Sequence, residues 1–198
     1  MEIGKNMKII DISQEFFSAP LYPGMTAPQR EALNDINKGA LYNETMICAS
    51  VHTATHGDSP LHIIPDGLSI DQMPLEAYIG PCQVIETNET TIKRDFLEKV
   101  ISDDCKRLLI KSNGKAFFTE DAGLVLQEKG IITIGTDSLT VAPFDDMKPA
   151  HMTILRANIA ILECLDLSQV VPGEYFLCAL PLKIANCDGS PIRAVLMY

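Results

Sequence analysis

The chain has 198 residues, of which 46% are hydrophobic and 21% are charged, and its formal net charge is −10 at pH 7. This length and balance predict one globular domain over residues 1–198 with a substantial core. The negative charge argues against nucleic acid or an anionic membrane as a partner, because phosphate-rich surfaces bind basic proteins. No apolar run approaches the length of a membrane-spanning helix, so we expect no membrane partner.

Six cysteines are spread along the chain without a C-x-x-C pair, and most of them lie in apolar runs. Buried, reduced thiols in a reducing compartment explain this distribution better than a thiolate zinc site or a cysteine nucleophile does. The N-terminus also lacks the long apolar segment of a signal peptide. These observations together predict a cytoplasmic protein.

The first third of the chain predicts two strands separated by an irregular loop. Residues 8–12 read as a short strand, and residues 42–51 read as a strand that delivers a histidine-rich segment at its end. Between them, residues 18–30 contain three prolines and a glycine, which favour neither helix nor strand. Tyr22 and Met25 of this loop could present an aromatic and an apolar surface to a ligand. A surface loop pinned by prolines is the alternative interpretation.

Three of the four histidines fall within residues 52–62, HTATHGDSPLH. His52, His56 and His62 are accompanied there by Asp58. Imidazole and carboxylate are the usual nitrogen and oxygen ligands of zinc and similar divalent ions. The window therefore predicts a metal site, with solvated loop histidines and a capping aspartate as the alternative.

Geometry limits how His52 and His56 could bind one ion. On an extended strand they would lie about 13 Å apart, at a rise of about 3.3 Å per residue. Zinc–nitrogen bonds are only about 2.0–2.1 Å long. The chain must therefore curl between Thr53 and Thr55 if both histidines bind the same ion.

Strands and helices alternate through the rest of the chain, which is typical of the α/β class. A turn and a short helix are expected over residues 69–80, and a turn is expected at the DGSP sequence of residues 188–191. The remaining predicted elements are strands at 82–86, 106–112, 131–138, 159–165 and 192–198 and helices at 90–101, 119–130 and 149–158.

The fourth histidine and one acidic residue lie in this second half. His151 falls in the first turn of the helix that Pro149 could open. Glu163 lies near the end of an apolar strand, where a carboxylate is costly unless it is paired or bound to a cation. A strand-end glutamate that reaches solvent or a lysine is the equal alternative.

The histidine window resembles the signature of the metal-dependent cyclase/hydrolase family that includes bacterial kynurenine formamidase and isatin hydrolase. That signature is H-x-G-T-H-x-D-x-P-x-H, and only Ala54 departs from it. His151 and Glu163, twelve residues later, resemble the downstream pair of the family. The N-terminal DIS, the YPG turn and the final PLKIANCDGSPIRA are also similar, so the resemblance spans nearly the whole chain.

The resemblance implies a swivelling β/β/α-type α/β fold, a homodimer or larger homo-oligomer, and a small-molecule substrate. It also implies a metal site, commonly with two zinc ions and in some members with a single manganese ion. Carried over position by position, His52, His56 and Asp58 would bind the first metal. Asp58 and Glu163 would be shared between the two metals, and His151 would bind the second.

The same resemblance implies roles for three further residues. His62 would be the proton donor and acceptor and would also approach the second ion. Tyr22 would lie where formamidases place an aromatic residue against the substrate, and Met25 replaces an acid that is common in formamidases. The implied activity is metal-dependent hydrolysis of a small amide, either an arylformamide like N-formylkynurenine or a cyclic amide such as isatin. The alternatives are a reaction on an unrelated small carbonyl compound and a non-catalytic protein with a structural metal.

Overall fold

A computed structural model describes residues 7–198 of the chain. It contains short strands throughout and three α-helices in the described part. The strands are β1 (Ile9–Asp11), β2 (Gln29–Asn34), β3 (Glu44–Cys48), β4 (His56–Asp58), β5 (Ile79–Glu86), β6 (Thr91–Ile92), β7 (Arg107–Lys111), β8 (Phe117–Phe118), β9 (Thr133–Thr136), β10 (Ala160–Glu163), β11 (Gly173–Cys178), β12 (Gly189–Pro191) and β13 (Val195–Met197). The helices are α1 (Arg94–Val100), α2 (Glu120–Glu128) and α3 (Lys148–Arg156).

Nine strands form one mixed sheet in the order β1-β13-β11-β5-β7-β9-β10-β4-β12. The central strands β5, β7, β9 and β10 are parallel neighbours, and a helix lies between each consecutive pair in the sequence. Antiparallel strands extend the sheet on both sides, so that β4 and β12 form one edge. The strands β2 and β3 form a separate antiparallel hairpin, and β6 and β8 form a short parallel pair.

The central strands β7, β9 and β10 are buried on both faces, as parallel strands connected by helices require. In β7, Leu108 and Ile110 pack in the cluster that contains the helix residue Leu126, whereas Leu109 packs in the cluster on the opposite face. Successive side chains of a strand point to opposite faces, so one apolar strand serves both clusters. Tyr78 is fully buried in the second cluster.

The α/β class predicted from the sequence is confirmed, and the three predicted helices are present with ends that shift by at most five residues. The short helix expected over residues 69–80 is instead two 3₁₀ turns, Ile70–Gln72 and Leu75–Ala77. Pro74 separates these turns in an extended conformation, with φ −64° and ψ 134°, and its ring cannot continue a helix.

Two segments interpreted as irregular contain strands. The loop expected over residues 18–30 ends at Gln29, where β2 begins. The DGSP turn expected at residues 188–191 is largely strand β12, which pairs with β4 at the sheet edge. An edge position explains why Pro191 is tolerated there, since one side of the strand needs no ladder hydrogen bond. Among residues 7–198, none of the helices has the length and apolarity needed to span a membrane.

Replacing Leu108 by alanine should strongly destabilise the fold. The side chain is fully buried between the sheet and the helices, so truncation leaves a cavity. We expect a loss of about 2–5 kcal/mol in the free energy of unfolding, measured by urea denaturation. Leu124→Ala is the control, because Leu124 is 43% exposed on α2 and should change stability little. Equal losses in both variants would contradict the described core.

Candidate metal centre

Strand β4 brings two of the predicted ligand residues to one face of the sheet. His56 and Asp58 are two residues apart, so their side chains point the same way. The antiparallel register with β10 places Glu163 directly opposite His56. A cross-strand neighbour lies about 4.5–5.5 Å away between Cβ atoms, so the backbone alone brings the second carboxylate to the site.

The chain curls before β4, as the sequence requires for His52 to approach His56. Residues 51–55 form turns, and Ala54 has a left-handed φ of 55°. A non-glycine residue in this region costs about 1–2 kcal/mol, which explains why a glycine suits the same place in the signature that this segment resembles. As a result, the His52 Nδ1 atom lies 2.8 Å from Asp58 Oδ1.

His56 and His151 are each held by a backbone carbonyl at Nδ1. The distances are 2.8 Å to Ala54 O and 2.9 Å to Met147 O. A carbonyl only accepts hydrogen bonds, so Nδ1 must carry the proton in both rings. Outer partners of this kind orient a histidine and leave Nε2 to bind a metal.

Both free ring nitrogens face the same two carboxylates. His56 Nε2 lies 3.4 Å from Asp58 Oδ1 and 3.5 Å from Glu163 Oε2. His151 Nε2 lies 3.4 Å from Glu163 Oε1 and 4.0 Å from Asp58 Oδ2. Two imidazoles and two carboxylates therefore converge on one point.

Asp188, which was not among the predicted site residues, joins the cluster from the C-terminal segment. Its Oδ2 atom lies 2.8 Å from His52 Nε2 and 3.4 Å from His62 Nδ1. Its neighbour Gly189 lies against His52, where a Cβ atom would come within 2.9 Å of the ring. The final segment PLKIANCDGSPIRA is similar to the family, and the acid next to the glycine in it is the signal that could have indicated Asp188.

The buried charges of the cluster stabilise one another. Burial lowers the pKa of His151, but the hydrogen bond to Glu163 and the charges of Glu163 and Asp58 together outweigh it and raise the pKa to about 9. His56 is fully buried, yet its contacts with Asp58 and Glu163 raise its pKa well above the usual value. Burial acts to raise the pKa of Asp58, but hydrogen bonds from His52 and His56 hold it well below its ordinary range. Without a bound ion, the two carboxylates thus favour the protonated forms of His56 and His151.

The donor set fits a divalent cation. The Oδ2 atom of Asp58 is buried and has no hydrogen-bond partner, and such an atom is costly unless a cation or donor approaches it. Nitrogen and carboxylate oxygen donors suit zinc and manganese. Three groups of side chains have ligand atoms within 4.8 Å of one another and could hold an ion: His52, His56 and Asp58; His52, His62 and Asp188; and Asp58, His62 and His151.

The cluster forms the floor of a cavity of about 240 Å³. Six of the seven site residues predicted from the sequence line it, and Asp58 lies just behind them against His52. The wall above the floor is mainly apolar and includes the half-buried Tyr22. The complete lining is Tyr22, Met25, Ser50, His52, His56, His62, Leu139, Thr140, Met147, His151 and Glu163. The structure therefore brings the N-terminal loop, the histidine window and the His151–Glu163 pair to one place.

Comparison with protein families gives a match to the family described as "Putative cyclase" over residues 10–143. The chain belongs to this cyclase family. A kynurenine formamidase from Bacillus anthracis is 36% identical over 205 residues, which cover 97% of this chain and 98% of that protein. The family resemblance stated from the histidine motif is thereby confirmed.

Solved structures of the cyclase family share the fold. One, described as a potential metal-dependent hydrolase with cyclase activity, has a TM-score of 0.86 and 29% sequence identity, covering 97% of this chain and 98% of that chain. Isatin hydrolase A from Labrenzia aggregata has a TM-score of 0.81 and 24% identity, covering 96% and 93%, and supports the fold alone. The predicted fold of the cyclase family is confirmed by these neighbours.

Gly189→Ala should weaken metal binding without unfolding the protein. The added Cβ would lie 2.9 Å from both Gly57 O and His52 Cε1, so β12 or the His52 ring must shift. We expect the affinity for zinc to fall by about tenfold or more, as when an outer partner of a ligand is lost. Gly57→Ala is the matched control, because its Cβ would make only ordinary contacts at 3.5–3.6 Å. Isothermal titration with zinc measures both, and equal affinities would contradict the argument.

Zinc affinity should rise with pH. The raised pKa values of His56 and His151 mean that both imidazoles carry an extra proton near neutral pH in the metal-free protein. A metal ligand must be a neutral imidazole, so binding releases these protons. Competition with a chromophoric chelator between about pH 6 and pH 8 should show tighter binding at higher pH, because this range lies below the raised pKa of about 9 of His151. An affinity that does not change with pH would show that the ion does not bind these imidazoles.

Proposed function

We propose that this chain is a metal-dependent amidohydrolase that cleaves the C–N bond of a small arylformamide or a cyclic amide. The observation that carries the proposal is the cluster of imidazoles and carboxylates that forms the floor of an apolar cavity. A purely structural zinc ion is usually enclosed by four protein ligands, whereas this cluster faces a space that a small molecule can enter. The kynurenine formamidase relative supports the same chemistry.

The metal ligands that we propose are the residues whose ring nitrogens and carboxylate oxygens converge in the cluster. His52, His56 and Asp58 bind the first ion, His151 binds the second, and Asp58 and Glu163 contribute to both. Zinc is the proposed metal, with one or two ions per chain, and manganese is the alternative because the donor set accepts either. A divalent ion held there lowers the pKa of a bound water from 15.7 towards about 7, which supplies a nucleophile at neutral pH.

His62 is the proposed proton carrier. It is half-buried at the rim of the cluster, with its ring centroid 4.2 Å from that of His52 and 5.9 Å from that of His151. Asp188 lies 3.4 Å from its Nδ1 atom and can accept a hydrogen bond from it. That contact leaves Nε2 to take a proton from the attacking water and deliver it to the leaving amine. Tyr22 is proposed to contact the ring of the substrate from the cavity wall.

The remaining predictions concern the protein as a whole. We propose that residues 1–198 are one domain and that the protein is a homodimer or a larger homo-oligomer. The β2–β3 hairpin supports assembly, because it is exposed on both faces and carries the exposed apolar residues Leu33, Met46 and Ile47. We retain a cytoplasmic location as a proposal, since all six cysteines are free.

Purified protein should release formate from small arylformamides when zinc or manganese is present. Each substrate, including N-formylkynurenine and formanilide, is assayed with added metal and with a chelator. We expect hydrolysis that the chelator abolishes and that added metal restores, because the nucleophile requires the ion. Isatin opening is followed in parallel. Failure with all arylformamides and with isatin, in protein that has bound metal, would reject the proposed activity.

His62→Ala should keep the metal and lose turnover. Loss of a general acid–base group typically costs about 10²–10⁴-fold in kcat. Metal content by atomic absorption and kcat on the best substrate measure the two effects separately. His56→Ala is the comparison variant and should lose metal and activity together, since its Nε2 atom faces both buried carboxylates. A His62→Ala protein without metal would identify His62 as a ligand and reject the proton-carrier role.

A further inference from the structure

The wall of the cavity carries no charged side chain among the described residues that line it. Above the histidines and Glu163, the lining consists of Tyr22, Met25, Ser50, Leu139, Thr140 and Met147. Four of these six are apolar or aromatic, and the other two are neutral hydroxyl residues. All formal charge in the cavity therefore lies on its floor.

The polar group of Tyr22 is already engaged within the wall. Its hydroxyl donates a hydrogen bond to the sulfur of Met147, at 2.8 Å, across 125 positions in the sequence. Behind it, Phe144 packs edge-on against the Tyr22 ring, with the ring centroids 5.3 Å apart, and Phe117 packs against Phe144 at 5.6 Å. The aromatic contacts support the Tyr22 ring, and the hydrogen bond to Met147 leaves its hydroxyl paired within the wall.

From this wall we infer that the protein selects an uncharged aryl substrate and discriminates against one that carries an amino-acid arm. The inference rests on the proposed function and specifies the substrate class of that same site. N-Formylkynurenine bears an ammonium and a carboxylate group on the chain next to its formamide. Neither charge would find an opposite charge on the wall, and moving an unpaired charge against apolar surface is unfavourable.

The size of the cavity supports the same conclusion. Ligand cavities for drug-sized molecules usually measure about 300–1,000 Å³, whereas this cavity measures about 240 Å³. A single substituted ring fits such a space more readily than a ring with a long charged arm. The neutral wall and the small volume therefore favour the same class of compact arylformamide.

A matched pair of substrates tests the inference. N-(2-Acetylphenyl)formamide is N-formylkynurenine without the α-carbon and the amino and carboxylate groups that it carries, and both compounds yield formate and an arylamine on hydrolysis. We expect kcat/KM to be higher for the neutral compound by about tenfold or more, because the charged arm gains no partner and loses hydration. A higher kcat/KM for N-formylkynurenine would overturn the inference and leave the proposed function intact.

Product binding tests the selectivity without turnover. Isothermal titration of metal-loaded protein with 2-aminoacetophenone and with kynurenine should give a dissociation constant about tenfold or more lower for the neutral amine. This measurement separates the inference from the proposed function. If the protein hydrolyses neither substrate but still binds the neutral amine more tightly, only the proposed reaction is rejected. Equal binding, or tighter binding of kynurenine, would reject the inference whatever the activity is.

A variant pair locates the selectivity on the wall. Met25→Arg places a cation where it can pair with the carboxylate of the charged arm. We expect this variant to raise kcat/KM for N-formylkynurenine by about tenfold relative to kcat/KM for the neutral formamide. Thr26→Arg adds the same charge at the next residue, which is exposed and does not line this cavity, and should keep the original ratio. The readout is the ratio of the kcat/KM values of two substrates on the same variant. A change in metal binding caused by the added charge affects both values equally and cancels in this ratio. An unchanged ratio in Met25→Arg would contradict the role of the wall.

Discussion

The burial of two carboxylates is the constraint on which the site depends. Asp58 and Glu163 are 1% and 4% exposed, and a buried charge without a partner destabilises a fold by several kcal/mol. The structure compensates with His56 and His151, whose pKa values rise accordingly. These pairs need short separations, and the antiparallel pairing of β4 with β10 provides them by placing His56 opposite Glu163. The curl at Ala54 then adds His52, whose Nδ1 atom lies 2.8 Å from Asp58 Oδ1.

The sequence was sufficient to predict the helices, strands and ligand candidates that are defined by residues close together along the chain. Alternating apolar runs and helix-end signals predicted the three helices and the central strands, since each element is defined by its own residues. The metal-ligand candidates could be selected because three histidines and Asp58 fall within eleven residues of each other. The curl between Thr53 and Thr55 followed from bond lengths alone. Local rules failed at residues 69–80, where Pro74 interrupts a pattern that otherwise favours a helix.

Features that depend on distant pairing could not be predicted. Asp188 contacts His52 across 136 positions, and its place beside a glycine in the C-terminal segment does not by itself indicate which residue it contacts. Strand β12 is three residues long and contains both Gly189 and Pro191, which are depleted in strands, so only its partner β4 makes it a strand. Gly189 is needed because the backbone of β12 passes close to His52 and Gly57. The sequence thus predicted the ligand candidates but not the segment that encloses them.

The floor and the wall of the cavity come from different kinds of structure. The floor is built on sheet strands and on a helix, where each charged group depends on its neighbours, so a change at one position alters the pKa values of the others. The wall comes from the loop that carries Tyr22 and Met25 and from the segment between β9 and α3 that carries Leu139 and Met147. The Tyr22 loop contacts the rest of the wall through its ring and its hydrogen bond to Met147, whereas the second segment also supports the floor, since the Met147 carbonyl accepts a hydrogen bond from His151. Substrate preference can therefore change through the loop that carries Tyr22 and Met25 while the metal chemistry of the floor is retained.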